Sequence, residues 1–524
     1  MKVLTPERMA KYDEYAIKTW GIPSAVLMEN AGRNMYRLIR ERYLEGKHRI
    51  VIFCGRGNNG GDGFVIGRYA LETGYHVRIF LLCKKQHLKG DAALNMGLYE
   101  SLGGDIFEVD DMYDTIKSSI QHADIIIDAI FGTGLSKPVE GIERAVIEQI
   151  NESGKSVISV DIPSGIDGRT GIPLGCAVKA IHTFTFAYPK IGQVLFPGAY
   201  HSGKLTVIDI SIPSFIEERI GFDGHIVDST MLRSALKERT PWSHKGTYGH
   251  AAIIAGSSGK TGAAHMTSLA ALKIGAGLVT LVIPESLNDI MEVKSTEVMT
   301  YPVADNGKGH FTLSSYDRVK AFVEDKDVVV IGPGLSQNRE TMELVRKLYM
   351  DIDKPFVIDA DGINAFQGHL DIIKKAKRNA VFTPHPGELA RLNGLSIKEI
   401  NGDRIGAGKR FVEETGANLV LKGAGTVVFN QQGDFFINPT GNPALAKGGS
   451  GDILTGFIGG CASQGCSLIE ASLAGVYLHG YIADDWAEAK TDMDLLAGDL
   501  LAGLSKAIRD IRNGRERVYI EQSL

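Results

Sequence analysis

The sequence has few cysteines, and they do not form the patterns that bind metals or build disulfide frameworks. Its 524 residues include five cysteines, with no CxxC pair and no zinc-ligand spacing. This excludes a zinc-finger module and a small disulfide-stabilised domain, because both need regularly spaced cysteines. An odd, scattered set of thiols is typical of a reducing compartment, so we expect a cytoplasmic protein.

Long apolar runs and a strong excess of charge of one sign are also missing. No apolar stretch of the sequence approaches the ~20 residues of a membrane span. The N-terminus has no signal-peptide core, since Thr5 and Pro6 instead predict a helix cap and first turn. The net charge of −5 gives no basis for binding nucleic acid or an anionic membrane. We therefore expect small molecules as the partners.

Glycine, in contrast, is abundant and follows short apolar runs. The 62 glycines cluster after segments that predict buried strands, and helical segments such as 63–73 and 141–153 separate these strands. This alternation predicts a parallel, doubly wound α/β sheet with ligands at the carboxyl ends of its strands. The strand candidates in the first half are residues 49–54, 76–82, 124–130, 156–161 and 204–210.

The alternation stops between about residues 212 and 242 and then restarts. A chain of this length exceeds what one hydrophobic core holds, so we predict two α/β domains in tandem with a boundary near residue 220. The first covers residues 1–218 and the second 225–512. The glycine loops of the two halves differ, so there is no internal repeat. The strand candidates of the second half are residues 250–255, 278–283, 328–331, 356–359, 380–383 and 418–421.

Three polar loops follow predicted strands of the first half: residues 55–63, 128–134 and 161–165. The first is neither GxGxxG nor a Walker loop. Oxygen atoms of Asn59, Asp128 and Ser164 are of the hard type that suits a cation, and they would leave Asp161 free to handle a proton. The alternative is that these side chains only cap helices.

These three loops resemble the motifs of the YjeF N-terminal family, the NAD(P)HX epimerases, over about the first 215 residues. The resemblance implies a Rossmann-like, three-layer domain that interconverts the R and S epimers of hydrated NADH or NADPH. It implies that Asn59, Asp128 and Ser164 bind K⁺, and we assign Asp161 as the acid or base. The implied substrate-binding residues are Asn58, Asn59, Gly60, Gly61, Asp62, Gly132, Thr133, Gly134, Leu135, Ser136, Lys137, Pro138 and Asp161.

In the second half of the sequence, several predicted strands are followed by residues suited to binding phosphate. Three glycines at 448, 449 and 451 stand before an apolar helical run, so backbone amides at a helix N-terminus predict a polyphosphate site. Asp452 lies beside them, where it could accept a proton from a substrate hydroxyl. Glu388 could hold a water on Mg²⁺ or simply favour a helix N-terminus. Five further segments with glycine or polar residues follow predicted strands of this half: 256–262, 332–334, 359–364, 383–388 and 422–426.

Four of these segments resemble the YjeF C-terminal family, the nucleotide-dependent NAD(P)HX dehydratases with a ribokinase-like fold, across about residues 225–510. The fusion of both families is the arrangement of bifunctional NAD(P)H-hydrate repair enzymes, which implies a homo-oligomer. The implied contacts to the hydrated nucleotide are Ala264, Gly334, His385 and Asp452. The implied ADP or ATP contacts are Lys422, Gly423, Ala424, Gly425, Thr426, Asn442, Lys447, Gly448, Gly449, Ser450 and Gly451.

The chemistry of such a repair indicates roles for these residues. Hydroxide at C6 of the hydrated ring leaves poorly, whereas phosphate leaves well, so phosphorylation of that hydroxyl prepares its elimination. Asp452 would take the hydroxyl proton, and the glycine-loop amides and Mg²⁺ would stabilise the phosphoryl charge.

Other functions remain open at this stage. The second half could be a small-molecule kinase for a vitamin precursor, with a non-catalytic nucleotide-binding module in front of it. A dehydrogenase is disfavoured, because GxGxxG with an acidic residue ~20 positions later is absent from the sequence.

Overall fold

A computed structural model describes residues 1–109, 113–236 and 238–523 of the chain. The described residues divide into two units. The N-terminal unit comprises residues 2–224 together with 518–523, and the C-terminal unit comprises residue 1 with 225–517. Within the described ranges, no helix is long and apolar enough to cross a membrane.

The N-terminal unit is built on an eight-stranded sheet in which all neighbouring strands pair in parallel. The strand order reverses around Arg49–Cys54, which pairs with His76–Leu81 on one side and Ile125–Ala129 on the other. Ligands of doubly wound sheets bind at such a reversal. From edge to edge, the strands are Ile520–Ser523, Lys204–Ile208, His182–Phe186, Val157–Val160, Ile125–Ala129, Arg49–Cys54, His76–Leu81 and Asp105–Glu108.

Side chains that alternate along the central strand enter two separate cores. Ile50 and Ile52 pack into one apolar cluster, whereas Val51 and Phe53 pack into another. Since successive side chains of a strand point to opposite faces, helices cover both faces and the unit has three layers. A strand Lys2–Val3 opens the unit. Its helices are Pro6–Glu14, Tyr15–Thr19 (a π-helix), Ser24–Tyr43, Asn58–Glu72, Lys85–His87 (3₁₀), Gly90–Ser101, Tyr113–His122, Gly141–Glu152, Ile191–Val194, Gly198–Ser202 and Ile216–Ile220.

The C-terminal unit has a second, mostly parallel sheet, which ends in an antiparallel meander of Asn418–Leu421, Val427–Phe429 and Phe435–Ile437. Its strand order reverses around His250–Ile254, which pairs with Leu278–Pro284 and Val328–Ile331. The strands of this unit, in spatial order, are Gly224–Ile226, Phe435–Ile437, Val427–Phe429, Asn418–Leu421, Ala380–Phe382, Phe356–Ile358, Val328–Ile331, His250–Ile254, Leu278–Pro284 and Met299–Val303.

Helices connect these strands, and three longer ones close the unit at its C-terminal end. The α-helices are Thr261–Lys273, Asn288–Lys294, Tyr316–Val323, Arg339–Asp351, Asp361–Asn364, Leu370–Ala376, Pro386–Asn393, Ile397–Gly402, Arg404–Thr415, Ser450–Ser463, Leu468–Ala489 and Ala497–Arg512. The 3₁₀ turns are Ser229–Leu232, Lys245–Tyr248, Glu285–Leu287, Leu313–Ser315 and Pro443–Leu445.

The α/β prediction and all the predicted strands are confirmed, with small shifts at their ends. The predicted helix 63–73 is wrong at its start, because the helix begins at Asn58. Its glycines, which indicated a loop, allow close packing on the sheet: a Cβ on Gly63 would lie 2.7 Å from Cys54 Sγ. Eight strands of the described residues were not predicted from the sequence: Lys2–Val3, Asp105–Glu108, His182–Phe186, Gly224–Ile226, Met299–Val303, Val427–Phe429, Phe435–Ile437 and Ile520–Ser523.

Candidate active sites

The helix Asn58–Glu72 opens directly after the central strand of the N-terminal unit. The turn before it needs glycine, since a Cβ on Gly55 would lie 1.9 Å from the carbonyl oxygen of Ile130. Gly60 is equally restricted, because its Cβ would lie 2.0 Å from the carbonyl oxygen of Gly55. The first backbone N–H groups of a helix lack partners within it, so this turn offers donors to an anion.

A cavity of about 690 Å³ lies at this reversal point of the N-terminal sheet. Most of the predicted epimerase residues line it: Asn58, Asn59, Asp62, Gly132, Thr133, Gly134, Leu135, Ser136, Lys137 and Asp161. Gly60, Gly61 and Pro138 are not in its wall. Gly61 packs against Met28 instead, where a Cβ would come within 2.7 Å of the sulfur.

Asp161 is not free, contrary to the prediction from the sequence. Lys190 Nζ donates to Asp161 Oδ1 at 2.5 Å, and the Thr185 hydroxyl and the Phe186 N–H donate to the same oxygen at 3.1 Å each. No hydrogen bond from a described residue reaches Oδ2, so this oxygen is available to the cavity. Asp161 has a left-handed backbone, with φ of 61°. These three donors fix the orientation of the Asp161 carboxylate.

Two further carboxyl groups line the same cavity. Burial raises the pKa of Asp62 well above its ordinary value, and the charges of Asp161 and Asp13 add to this, whereas Lys190 lowers it. Burial also raises the pKa of Asp13 to about 6. Asp13 was not among the predicted site residues, because it lies in the helix Pro6–Glu14 and outside any motif. Lys190 lies outside the three loops predicted from the sequence.

Asp128 and Ser164 form a buried cluster of oxygen atoms. Asp128 accepts hydrogen bonds from the Ser159 hydroxyl at 2.8 Å, the Ser164 N–H at 2.9 Å and the Ser164 hydroxyl at 2.5 Å. Burial raises the pKa of Asp128, although these hydrogen bonds oppose the shift. No ion pair reaches Asp128 within the described part of the chain. The third predicted ligand, Asn59, packs against Gly132, and its Nδ2 is buried without a partner among the described residues.

In the C-terminal unit, the predicted phosphate loop leads into the helix Ser450–Ser463. Gly449 supplies the turn, because its φ of 93° is unfavourable for other residues. Asp452 is thus the third residue of this helix. The neighbouring helix Leu468–Ala489 fixes the loop, since His479 Nε2 lies 2.9 Å from the carbonyl oxygen of Ser450. Burial lowers the pKa of His479 to about 4, so its ring is neutral and Nε2–H donates to the carbonyl.

A charged network surrounds Asp452. Burial raises the pKa of Asp452 to about 7, and the charge of Asp359 adds to this, whereas Lys422 opposes it. Lys422 Nζ lies 2.6 Å from Asp359 Oδ1. Burial lowers the pKa of Lys422, but Asp359 and Glu388 outweigh that and raise it. The hydroxyls of Thr383 and Thr455 donate to Asp359 at 2.8 and 2.7 Å. A proton-accepting carboxyl therefore stands beside a fixed cation.

A cavity of about 380 Å³ contains Asp452 and the predicted residue Gly334. Lys260 and Asp361, which form a 2.9 Å ion pair, and Glu388 also line it. The predicted residues Ala264 and His385 do not. Ala264 is completely buried, and His385 caps the helix Pro386–Asn393 by accepting the N–H groups of Gly387 and Glu388 at 3.0 and 3.3 Å.

The predicted nucleotide residues lie in three places: the loop between the strands Asn418–Leu421 and Val427–Phe429, the segment after the strand Phe435–Ile437, and the first turn of the helix Ser450–Ser463. Asn442 donates to Asp484 Oδ1 at 2.9 Å, and Gly441 N–H donates to Asp484 Oδ2 at 2.8 Å. Lys447 donates to the carbonyl of Met493, and the Thr426 hydroxyl donates to the carbonyl of Gly423. The Gly451 end of the phosphate loop approaches Lys422, whose Nζ would lie 3.7 Å from a Cβ on Gly451. Asp484 is a residue that sequence analysis missed.

Comparison with known proteins places both halves in families. Residues 251–506 match the family described as NAD(P)H-hydrate dehydratase, and residues 24–192 match that described as YjeF-related protein N-terminus. A bifunctional NAD(P)H-hydrate repair enzyme Nnr of Moorella thermoacetica is 39% identical over 523 residues, covering 99% of this chain and 98% of that protein. The chain belongs to this family.

A second NAD(P)H-hydrate repair enzyme and one solved structure are also similar to this chain. The Thermofilum pendens protein of the same name is 36% identical to this chain, and the alignment covers 99% of this chain and 98% of that protein. A crystal structure of ADP/ATP-dependent NAD(P)H-hydrate dehydratase from Bacillus subtilis, co-crystallized with ATP/Mg²⁺, is 30% identical. The match covers 55% of this chain and 99% of the Bacillus subtilis chain, with a TM-score of 0.47. Membership in the repair-enzyme family confirms the predicted function, whereas the roles of individual residues stay predictions.

Proposed function

We propose that the N-terminal unit epimerises R- and S-NAD(P)HX, and that the C-terminal unit dehydrates the S form with ADP or ATP. The substrates are then NADHX or NADPHX and a nucleotide, in a cytoplasmic homo-oligomer. The Asp452 carboxyl is the observation that carries the dehydratase assignment. Its pKa of about 7 suits a general base near neutral pH, and it opens a helix directly after a glycine loop.

The dehydration proceeds in two steps on this proposal. Asp452 accepts the proton of the C6 hydroxyl while that oxygen bonds to the terminal phosphorus of the nucleotide, whose bridging P–O bond breaks. The C6–O bond then breaks with loss of phosphate, assisted by the lone pair of the ring nitrogen. Loss of a proton from C5 restores the C5–C6 double bond. The sum is one hydrate and ADP to one NAD(P)H, AMP and phosphate, or ADP and phosphate from ATP.

The residues around Asp452 support this chemistry by their placement. Lys422 is a fixed cation beside Asp359, and the unpaired amides at the start of the helix Ser450–Ser463 offer donors to phosphoryl oxygens. Bound Mg²⁺ would neutralise phosphate charge. Mg²⁺ in such sites uses one or two carboxylates with nucleotide phosphates, and Glu388 in the same cavity provides a carboxylate for it.

The cluster of oxygen atoms around Asp128 fits a monovalent cation in the epimerase half. A buried carboxylate without an ion pair is costly, and K⁺ would supply the missing positive charge. Asn59, Asp128 and Ser164 would hold this ion, with oxygen atoms of the kind it prefers. Asp161, held by Lys190, would handle the proton of the hydrate.

The test uses the full chain and a mixture of both hydrates with Mg²⁺, K⁺ and ADP or ATP, and follows the absorbance of reduced nicotinamide. We expect complete recovery by the wild type and none by Asp452→Asn. Asp161→Asn should stall once the S form is consumed. Asp289→Asn is the matched control, because Asp289 is exposed in the helix Asn288–Lys294. No recovery by the wild type with either nucleotide would contradict the proposal and favour a conventional kinase.

A further inference from the structure

Asp62 is a buried carboxyl group without a protein partner in the wall of the N-terminal cavity. It is 7% exposed, and no hydrogen bond or ion pair from a described residue reaches its side chain. Buried polar groups are almost always hydrogen-bonded, and exceptions concentrate at functional sites. A carboxyl group in this position is most stable with its proton on, ready to donate to a ligand.

Asp161 in the same cavity has the opposite surroundings. Its Oδ1 receives three donors, one of them the ammonium group of Lys190, so an ion pair and two further hydrogen bonds compensate the charge of this carboxylate. The charged groups around Asp62 are Asp13, Asp161 and Lys190, and the two aspartates raise its pKa while the lysine lowers it. Two carboxyl groups in such contrasting surroundings, one with three donors and one with none among the described residues, are the usual arrangement of an acid–base pair.

We propose that Asp62 is the general acid of the epimerase site and Asp161 its general base; this rests on the proposed epimerase function. Asp62 donates its proton to the C6 oxygen of the R-hydrate. The C6–O bond breaks, water leaves, and the lone pair of the ring nitrogen forms an iminium. Water then adds to C6 from the opposite face and gives its proton to Asp161, and a cavity water returns the proton to Asp62. The reverse reaction exchanges the two roles.

The experiment compares the full-length wild type with Asp62→Asn, Asp62→Glu and Asp114→Asn, using purified R-hydrate and separately S-hydrate. Asp114 is the control, because it is exposed in the helix Tyr113–His122. We expect Asp62→Asn to lower kcat for epimerisation at least about a hundredfold with little change in KM. Asp62→Glu should restore part of this loss. Conversion of the S-hydrate should match the wild type in every variant.

Two further measurements separate proton donation from a structural role. The wild-type epimerisation rate should fall at high pH as the acid loses its proton, and Asp62→Asn should lose this limb. Infrared spectra at neutral pH should show a protonated carboxyl band that is absent from Asp62→Asn. A variant with higher KM, unchanged kcat and an unchanged pH profile would overturn the proposal, as would no difference in the infrared band. A wild type that converts S-hydrate but never R-hydrate would instead refute the epimerase function itself.

Discussion

At the scale of single residues, the surroundings of Asp452 tune one carboxyl group to its task. Burial and the charge of Asp359 raise its pKa to about 7, while Lys422 limits the rise. A base with this pKa is partly ionised at neutral pH and still accepts a proton well, which is the best compromise for general base catalysis. Burial makes the Asp452 carboxyl a better base, but it also lowers the free energy of unfolding once this carboxyl is ionised.

The first prediction concerns the pH dependence of dehydration. Because Asp452 must be ionised to accept a proton, kcat for S-hydrate should rise about tenfold per pH unit below about 7 and level off above it. Asp452→Asn should keep only a residual, pH-independent rate. Steady-state kinetics at saturating nucleotide measure both, and a wild-type rate that is flat across this range would contradict the role of Asp452.

The second prediction concerns stability at the same residue. Burial raises the pKa of Asp452 from its ordinary value of 3.8 to about 7 in the folded protein, so the folded protein retains a proton that the unfolded chain loses between these pH values. The contribution of Asp452 to the free energy of unfolding is therefore fully present below pH 3.8 and declines as the pH rises from 3.8 to about 7. Asp452→Asn should stabilise the C-terminal unit by about 2 kcal/mol at mildly alkaline pH, discounted for solvent screening, and little at low pH. Denaturant unfolding at both pH values measures the difference, and equal gains at both would contradict it.

At the scale of elements, the helix Leu468–Ala489 positions the nucleotide loops through two buried contacts. His479 donates to the carbonyl of Ser450, and Asp484 accepts from the Gly441 N–H and the Asn442 amide. Both residues belong to a single helix, so the segments before and after residue 445 are held by one element. Sequence motifs contain the loops but not the helix that holds them.

We predict that Asp484→Ala raises the KM for ADP or ATP more than it lowers kcat. It removes two hydrogen bonds to a charged acceptor, each worth about 1.5–3 kcal/mol, so the KM should rise about tenfold or more. Asp485→Ala on the same helix is the control, since its carboxylate pairs with Lys506 at 2.8 Å on the surface. Equal KM values in the two variants would contradict the positioning role.

The strand Ile520–Ser523 is another element with a testable role. It pairs in parallel with Lys204–Ile208, and Glu521 accepts from the Thr206 hydroxyl at 3.1 Å. Deletion of residues 518–524 would expose the edge of this sheet. We expect a lower unfolding midpoint for the N-terminal unit and normal dehydration of S-hydrate, measured by denaturant unfolding and kinetics. An unchanged midpoint would show that the strand adds no stability.

At the scale of the whole molecule, local patterns predicted the two sheets and most of the cavity walls. Strands such as Arg49–Cys54 and Val328–Ile331 are short apolar runs that follow charged residues and end at a glycine, so their bounds follow from composition. Asp13, Lys190 and Asp484 could not be assigned in this way, because helices and turns far along the chain bring them to the sites. The start of the helix at Asn58 was also missed, since close helix–sheet packing selects glycines that otherwise indicate a loop.

The C-terminal unit should consume nucleotide phosphate in a fixed ratio to the reduced nicotinamide that it restores. The most direct test measures, with purified S-hydrate, the inorganic phosphate released and the NAD(P)H formed by the wild-type chain. We expect equal amounts of phosphate and NAD(P)H, no restoration of NAD(P)H without nucleotide, and no phosphate release by Asp452→Asn. Restoration without phosphate release, or a stable phosphorylated product in place of NAD(P)H, would contradict it.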